Sequence, residues 1–223
     1  GYNLLANRDV VVSALVEAIC RHGGEECGGE SRVYIAQDTT SLEYGHREPI
    51  EGLGPVTSTG TQGLLVHTSL ALSGQGLPLG LTAQRIWTRP PEKLSPKHLR
   101  PMSERESMKW LEGMRESADR LPAGCHPIFV MDREGDIHEV LAEARAAGWG
   151  VIVRSNYNRR VAGEAAWLRD TVRQQPVAVA YELTVPRKKG ERPSRETRLE
   201  VRRCTVTLTP SCKGAPHRQP VEV

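Results

Sequence analysis

The chain has 223 residues, of which 38% are hydrophobic, 26% are charged and 4% are aromatic. A chain of this length can form one sizeable core with a smaller appendage, and its single Phe means that the core depends on aliphatic side chains. No apolar run approaches the roughly 18 residues of a membrane span, and no segment has the pattern of a signal peptide.

Charge is divided unevenly along the chain, although the net charge is only +3. Residues 1–153 contain 15 Lys and Arg against 20 Asp and Glu, whereas residues 154–223 contain 15 against 7. A basic segment beside an acidic one favours a face that binds a polyanion next to a face that binds a metal. A solvated basic surface is the alternative explanation, and charge alone does not separate the two.

The five cysteines include no C-x-x-C pair, and their odd number without a disulfide framework predicts reduced thiols in the cytoplasm. The spacing of Cys20, His22 and Cys27 matches no common zinc module. The chain begins with Gly1 rather than Met and finishes at residues 221–223 without a terminal helix or a polar tail. We therefore expect a fragment of a longer protein, truncated at its C-terminus.

The first predicted element is a helix. Asp9 precedes an apolar run that ends at Ile19, and Gly23 and Gly24 follow it. An acidic start and a glycine end are typical helix boundaries, and the apolar residues on most sides predict that this helix is buried. A Gly- and Glu-rich linker from Gly23 to Ser31 is expected to lead into the main domain.

Two strand patterns follow this linker. The apolar run 33–36 predicts a buried strand that ends at Asp38, where the alternative is that Asp38 is only a turn residue. Residues 64–72 and 77–87 flank a glycine-containing turn and predict a β-hairpin. His67, inside the first strand of that hairpin, is expected to be a core histidine rather than a metal ligand.

The stretch 128–141 predicts a strand, a tight turn and a helix. The apolar run 128–131 stops at Asp132, Gly135 breaks the backbone, and apolar residues then return at a spacing of three and four. Asp136 with Glu139 is typical of a helix start, with Asp136 as the N-cap. Asp132 is therefore expected at the edge of a sheet, where α/β folds place their chemistry.

The remaining segments complete the predicted α/β domain and are followed by a segment with an antiparallel β pattern. A capping box at 103–106 predicts a helix, 151–153 predicts a short buried strand, and 164–173 predicts a further helix. After Pro176 the pattern becomes antiparallel β, with two strands joined by the basic turn 186–195. The predicted organisation is a helix and linker at 1–30, a core at 31–175 and a β-rich insertion at 176–223.

The predicted order β-β-β-α-β-α-β is that of a ribonuclease H-like core. We therefore predict an α/β fold with a mixed sheet flanked by helices and a C-terminal antiparallel β insertion. The first and fourth strands are neighbours in such a core, so Asp38 and Asp132 are expected to face each other. Two facing carboxylates repel each other, and a bound cation relieves that repulsion.

The sequence resembles the DDE transposases of the insertion-sequence-four type, which are bacterial cut-and-paste enzymes. The motifs that carry the resemblance follow the order of that family over nearly the whole chain, and Gln-Asp-Thr-Thr and Asp-Arg-Glu-Gly-Asp-Ile are the most specific of them. The matching segments are residues 37–40, 52–54, 63–67, 76–80, 87–90, 106–110, 132–137 and 153–155.

The resemblance implies a metal-dependent polynucleotidyl transferase. Asp38 and Asp132 would be its first two catalytic and metal-binding acids, with Mg²⁺ as the cofactor and Mn²⁺ as a possible substitute. The implied partners are double-stranded DNA, at transposon ends and at the target, and further copies of the protein in a synaptic complex. The implied location is the bacterial cytoplasm, on the nucleoid when the protein is bound to DNA.

One element of the family is absent from this sequence. The third acid of such enzymes is a Glu in a Tyr-x-x-Arg-x-x-x-Glu pattern, which does not occur here. Neither Glu134 nor Asp136 is expected to replace it, because Glu134 supports the turn and Asp136 caps the helix. The chain alone is therefore expected to be inactive. The alternatives are a DNA-binding or dimerising remnant and a stand-alone metal nuclease or phosphatase.

Several basic and polar residues are candidates for DNA contacts. Arg suits bidentate phosphate contacts, and a basic segment follows the strand 151–153 on the expected active edge. The basic turn of the β insertion is an equal candidate for phosphate contact or for solubility. The predicted DNA-binding residues are Arg154, Asn158, Arg159, Arg160, Lys109, Arg187, Lys188 and Lys189.

Overall fold

The chain divides after Asn156 into two compact units, Gly1–Asn156 and Tyr157–Val223. The computed structural model describes residues 7, 9–45, 48–57, 60–90, 100–163, 167–210 and 219–223. The domain boundary predicted near residue 175 lies within the second of these units.

The first unit contains three helices and six strands among its described residues. In chain order these are α1 (Val12–Glu25), β1 (Arg32–Glu43), β2 (Gly54–Pro55), β3 (Gln62–Leu72), β4 (Pro78–Trp87), α2 (Met108–Arg120), β5 (His126–Met131), α3 (His138–Ala147) and β6 (Gly150–Val153).

A mixed sheet lies at the centre of the first unit. Its strands follow the order β2–β3–β1–β5–β6, and β4 pairs with β3. β1 is antiparallel to β3 and parallel to β5, β5 is parallel to β6, and β3 and β4 form the predicted antiparallel hairpin. The mixed α/β class is therefore confirmed, and so is the prediction that the strand with Asp38 neighbours the strand that precedes Asp132.

The core lies on one face of this sheet, under the helices. Alternate residues of β1 and β5, including Ile35 and Phe129, are fully buried against Trp110 and Met114 of α2 and Val140 of α3. Side chains alternate between the two faces along a strand, so the intervening residues of β1 and β5 lie on the opposite face.

Helix α1 corrects the prediction of a buried helix that ends before Gly23. Most of it is exposed, with Val12 64% and Ile19 54% accessible, and it continues through Gly23 and Gly24 to Glu25. Both glycines are buried, and a Cβ placed on Gly23 would lie 2.0 Å from the carbonyl oxygen of Leu81 in β4. The glycines allow the helix to approach a strand backbone closely and do not end the helix.

Strand β1 corrects the prediction that the first strand ends at Asp38. Its parallel pairing with β5 ends at Gln37, but its antiparallel pairing with β3 continues as far as Glu43. Asp38 therefore lies in the middle of a 12-residue strand, at the point where one neighbour stops and the other goes on.

Two helix starts also differ from the prediction, because the expected capping residues bind elsewhere. α2 begins at Met108, after a short 3₁₀ turn at Met102–Glu104, and Glu106 instead accepts two hydrogen bonds from Arg89. α3 begins at His138 with Ile137 as its N-cap, so Asp136 does not cap it.

The second unit is built around an antiparallel hairpin, as predicted for the segment after Pro176. Its described elements are α4 (Leu168–Arg173), β7 (Val179–Val185), β8 (Arg195–Val201), β9 (Thr207–Leu208) and β10 (Val221–Glu222). β7 pairs with β8 and β9 with β10, so the predicted second strand is divided in two. α4 covers the second half of the predicted helix 164–173, and Trp167 is its N-cap. Residues 164–166 lie outside the described residues.

No helix in the described part of the chain is both long and apolar enough to cross a membrane.

Candidate functional site

Three candidate residues occupy neighbouring positions across the central sheet. Gln37 of β1 pairs with Met131 of β5, and Met131 pairs with Val153 of β6. The next residue along each of these parallel strands is a predicted site residue. Neighbouring strands lie about 4.8 Å apart, so the three backbones are side by side. We call this set the site row: Asp38, Asp132 and Arg154.

The site row lies on the face of the sheet that is opposite the core. Gln37 and Met131 are buried, and Val153 packs against the core, so the next residue on each strand points away from it. Asp132 keeps an extended backbone (φ −77°, ψ −166°) and so continues the direction of β5. All three side chains of the site row are exposed, and Arg154 forms no ion pair with a described residue.

The carboxylate of Asp38 is held by the backbone of its own strand. Its Oδ1 accepts a hydrogen bond of 2.7 Å from the N–H of Thr39. The hydroxyl of Thr39 shares a hydrogen bond of 2.9 Å with Nδ1 of His67 on β3. The orientation of Asp38 is thus supported by the antiparallel partner that extends past it.

His67 is the core histidine that the sequence predicted. It is buried, and its ring meets that of Trp110 edge to face, with 4.7 Å between the centroids. Burial lowers the pKa of His67 from 6.5 to about 4, and the positive charges of Lys109 and Arg85 act in the same direction. Its imidazole is therefore neutral at physiological pH.

The carboxylate of Asp132 is held by the tight turn that follows it. Its Oδ1 accepts a hydrogen bond of 2.7 Å from the N–H of Glu134, at the start of a 3₁₀ turn over Arg133–Gly135. A Cβ on Gly135 would lie 2.7 Å from Sδ of Met131, so this turn folds back onto the strand only with glycine. Among the described residues, the Oδ2 atoms of Asp38 and Asp132 have no hydrogen-bond partner.

Asp136 ties this turn to the end of the neighbouring strand. It is buried, and its Oδ2 accepts a hydrogen bond of 2.7 Å from the N–H of Asn156. Asn156 follows Arg154 closely, so this contact steadies the backbone that carries the basic member of the site row. The carboxylate of Asp136 thus binds a backbone N–H just beyond the end of β6 and not the helix start that the sequence predicted for it.

Lys109 differs from the other predicted DNA contacts because its side chain is buried. Its side chain is only 9% exposed, and its Nζ lies 3.4 Å from Oε2 of Glu134. The same ammonium lies 5.8 Å from the ring centroid of Trp87 and 5.4 Å from that of Trp110. The sequence placed Lys109 on a helix but contained no signal that its charge is buried.

In the second unit, two arginines stack on aromatic rings. The guanidinium of Arg159 lies 5.6 Å from the ring centroid of Tyr157, and that of Arg160 lies 4.8 Å from that of Trp167. The two aromatic partners were not among the predicted site residues. The aromatic residue beside the basic residues in 157–160 is the sequence signal that could have identified Tyr157. The position of Trp167 beside Arg160 is visible only in the structure.

The other predicted contacts of the second unit have separate roles. Asn158 Oδ1 accepts a hydrogen bond of 2.9 Å from the N–H of Arg169, in the first turn of α4. Arg187, Lys188 and Lys189 are exposed beyond the end of β7, where Lys188 forms an ion pair of 2.6 Å with Glu191. Their contact with DNA stays a prediction.

The acidic part of the site consists of two carboxylates. No group of three or more His, Cys, Asp or Glu side chains in the described part of the chain is arranged to hold a metal ion. Two carboxylates with an unpaired oxygen each are nevertheless the hard ligands that Mg²⁺ prefers, since Mg²⁺ completes its shell with water. No known protein-family model matches the chain.

Proposed function

We propose that the first unit is the ribonuclease H-like catalytic domain of a DDE transposase of the insertion-sequence-four type. The observation that carries the proposal is the site row, in which two carboxylates and an arginine occupy adjacent strands on one exposed face. The strand order supports it too, because four strands with antiparallel pairing, one of them only two residues long, come first in the chain and two parallel strands follow. The motif resemblance adds the reaction class.

Each member of the site row has a role in cleaving a phosphodiester. Asp38 and Asp132 would hold Mg²⁺, or Mn²⁺ in its place, through the oxygens that face away from the core. Bound Mg²⁺ supplies an activated water and relieves charge on the leaving oxygen. Arg154 would donate two hydrogen bonds to a phosphate beside the acids.

The substrate in this proposal is double-stranded DNA, at transposon ends and at the target, with the protein self-associated in a synaptic complex. Arg159 and Arg160 support the DNA-binding role because their guanidinium groups are pre-oriented on aromatic rings. Phosphate contacts of this kind position the DNA without reading its sequence.

A second function is favoured by the count of carboxylates. A DNA-binding or dimerising protein without catalysis needs no third acid, and the described residues supply only two at the site row. In this alternative the arginines still contact DNA, but the protein does not cleave it.

Metal binding and DNA nicking by the same variants test the two functions. Binding of Mn²⁺ is measured by electron paramagnetic resonance, and nicking is measured on supercoiled plasmid with Mg²⁺. The variants are Asp38→Asn and Asp132→Asn, and the control is Asp119→Asn, an exposed carboxylate near the end of α2.

If the site row binds metal, the first two variants weaken Mn²⁺ binding at least tenfold and the control does not. Nicking that both variants abolish supports the transposase, whereas metal and DNA binding without nicking agrees both with the expected inactivity of the chain alone and with the non-catalytic protein. Equal Mn²⁺ binding by all four proteins would overturn the proposed metal site.

A further inference from the structure

The position of Lys109 is energetically unfavourable for a positive charge. It is the second residue of α2, where the helix dipole disfavours cations, and its side chain is 9% exposed. Burial of an ammonium also costs free energy unless the charge is well paired. Its partner Glu134 is itself 68% exposed, so the pair is only partly shielded from water.

The contacts of Lys109 lead directly to one acid of the site row. Its ammonium lies over the rings of Trp87 and Trp110, which limits the positions of Nζ. The ammonium holds the carboxylate of Glu134, and the N–H of Glu134 holds Oδ1 of Asp132. Two successive contacts therefore connect a buried side chain to an exposed carboxylate.

We propose that Lys109 is a positioning residue for Asp132, acting through the side chain and the N–H of Glu134. Without the ammonium, the turn Arg133–Gly135 keeps its glycine but loses its anchor to α2, so the Asp132 carboxylate samples more orientations. The expectation that metal binding weakens without Lys109 rests on the proposed function. The anchoring of the turn by Lys109 is independent of that function.

The anchoring is tested by amide hydrogen exchange at Glu134, measured by NMR without metal. Lys109→Met keeps an unbranched side chain and removes the charge, and Lys109→Arg keeps the charge. We expect exchange at Glu134 to rise about threefold to fivefold in Lys109→Met, the effect of losing a half-exposed ion pair. Lys109→Arg should retain most of the protection.

The matched control is Arg115→Met, which removes an ion pair with Glu143 from the same helix. It should leave exchange at Glu134 unchanged. Melting temperatures of all the variants identify any general loss of structure, and a global loss would raise exchange throughout the core. Unchanged exchange at Glu134 in a folded Lys109→Met protein overturns the proposal.

The sign of the change in Mn²⁺ affinity separates positioning from simple charge. Removal of a nearby cation alone would tighten binding of a divalent ion, whereas loss of positioning weakens it, by an expected threefold to tenfold.

The double variant Lys109→Met/Glu134→Gln should bind Mn²⁺ no more weakly than the weaker single variant, because both changes break one contact. If exchange at Glu134 rises but Mn²⁺ binding never depends on Asp132, the positioning role holds and the proposed metal site fails.

Discussion

Asp38 lies in β1 and Asp132 directly follows β5, and each comes after a member of the last residue pair between these two strands. Gln37 and Met131 form that pair, after which β5 turns away and β1 continues beside β3. Among the described residues Asp38 has no strand partner on the β5 side, because β5 ends at Met131. The turn after β5 orients Asp132, because the N–H of Glu134 donates to its carboxylate. Both carboxylates are therefore exposed to solvent, and the residues that precede them, Gln37 and Met131, are buried in the core.

Divalent metal should stabilise the folded chain through this pair. At a Mn²⁺ concentration ten times Kd, binding contributes about 1.4 kcal/mol, which raises Tm by roughly 3–6 °C for a unit of this size. Asp132→Asn should remove most of that rise, and Asp119→Asn should keep it. Differential scanning calorimetry with and without Mn²⁺ measures the effect, and an equal rise in Asp132→Asn would place the ion elsewhere.

His67 should make the stability of the first unit depend on pH. Its pKa is lowered by burial from 6.5 to about 4, so below pH 6.5 the unfolded chain takes up a proton that the folded chain does not. Stability is therefore lost as pH falls from 6.5 towards 4, by about 2 kcal/mol at pH 5 for this residue.

Urea unfolding of the wild type and of His67→Gln at pH 7.5 and pH 5.0 measures this contribution. The variant is less stable at pH 7.5, but it should lose less stability between the two values. A loss equal to that of the wild type would mean that other groups cause the pH dependence.

Gly23→Ala should destabilise the protein although alanine favours helices. The added Cβ meets the backbone of Leu81 at 2.0 Å, which forces α1 away from β4. Overpacking of this kind costs about 1–3 kcal/mol, which exceeds the helix-propensity gain of about 1 kcal/mol. Gly74→Ala is the control, because a Cβ there has nothing within 4 Å. Chemical denaturation of both variants gives the comparison, and a neutral Gly23→Ala would show that α1 can shift freely.

Arg154, Arg159 and Arg160 should supply salt-dependent affinity for DNA. Each phosphate contact contributes about 0.9 to the slope of log Kd against log salt, so the triple Ala variant should lower the slope by up to about 2.7. Fluorescence anisotropy with a labelled duplex at several salt concentrations measures it. Arg115→Ala, which removes a paired arginine from α2, should leave the slope unchanged. An unchanged slope in the triple variant would make these arginines ordinary surface residues.

The sequence by itself determined the local elements of this protein. The hairpin of β3 and β4, the strand before Asp132 and the antiparallel segment after Pro176 all follow from apolar periodicity and turn residues, which act over a few neighbouring positions. The choice of Asp38 and Asp132 as candidates came from the same local patterns and from the motifs, and it placed them on strands that the sheet brings together.

Only the tertiary structure decided what those elements pack against. Asp38 lies in mid-strand because β3, a partner distant in sequence, extends past β5. α1 needs glycine at position 23 because the backbone of β4 lies against the helix there. Lys109 is buried because its ammonium lies beside Trp87 and Glu134, which are distant from it in sequence. Strand ends, helix ends and buried charges depend on contacts between residues far apart in the chain, and local composition does not record such contacts.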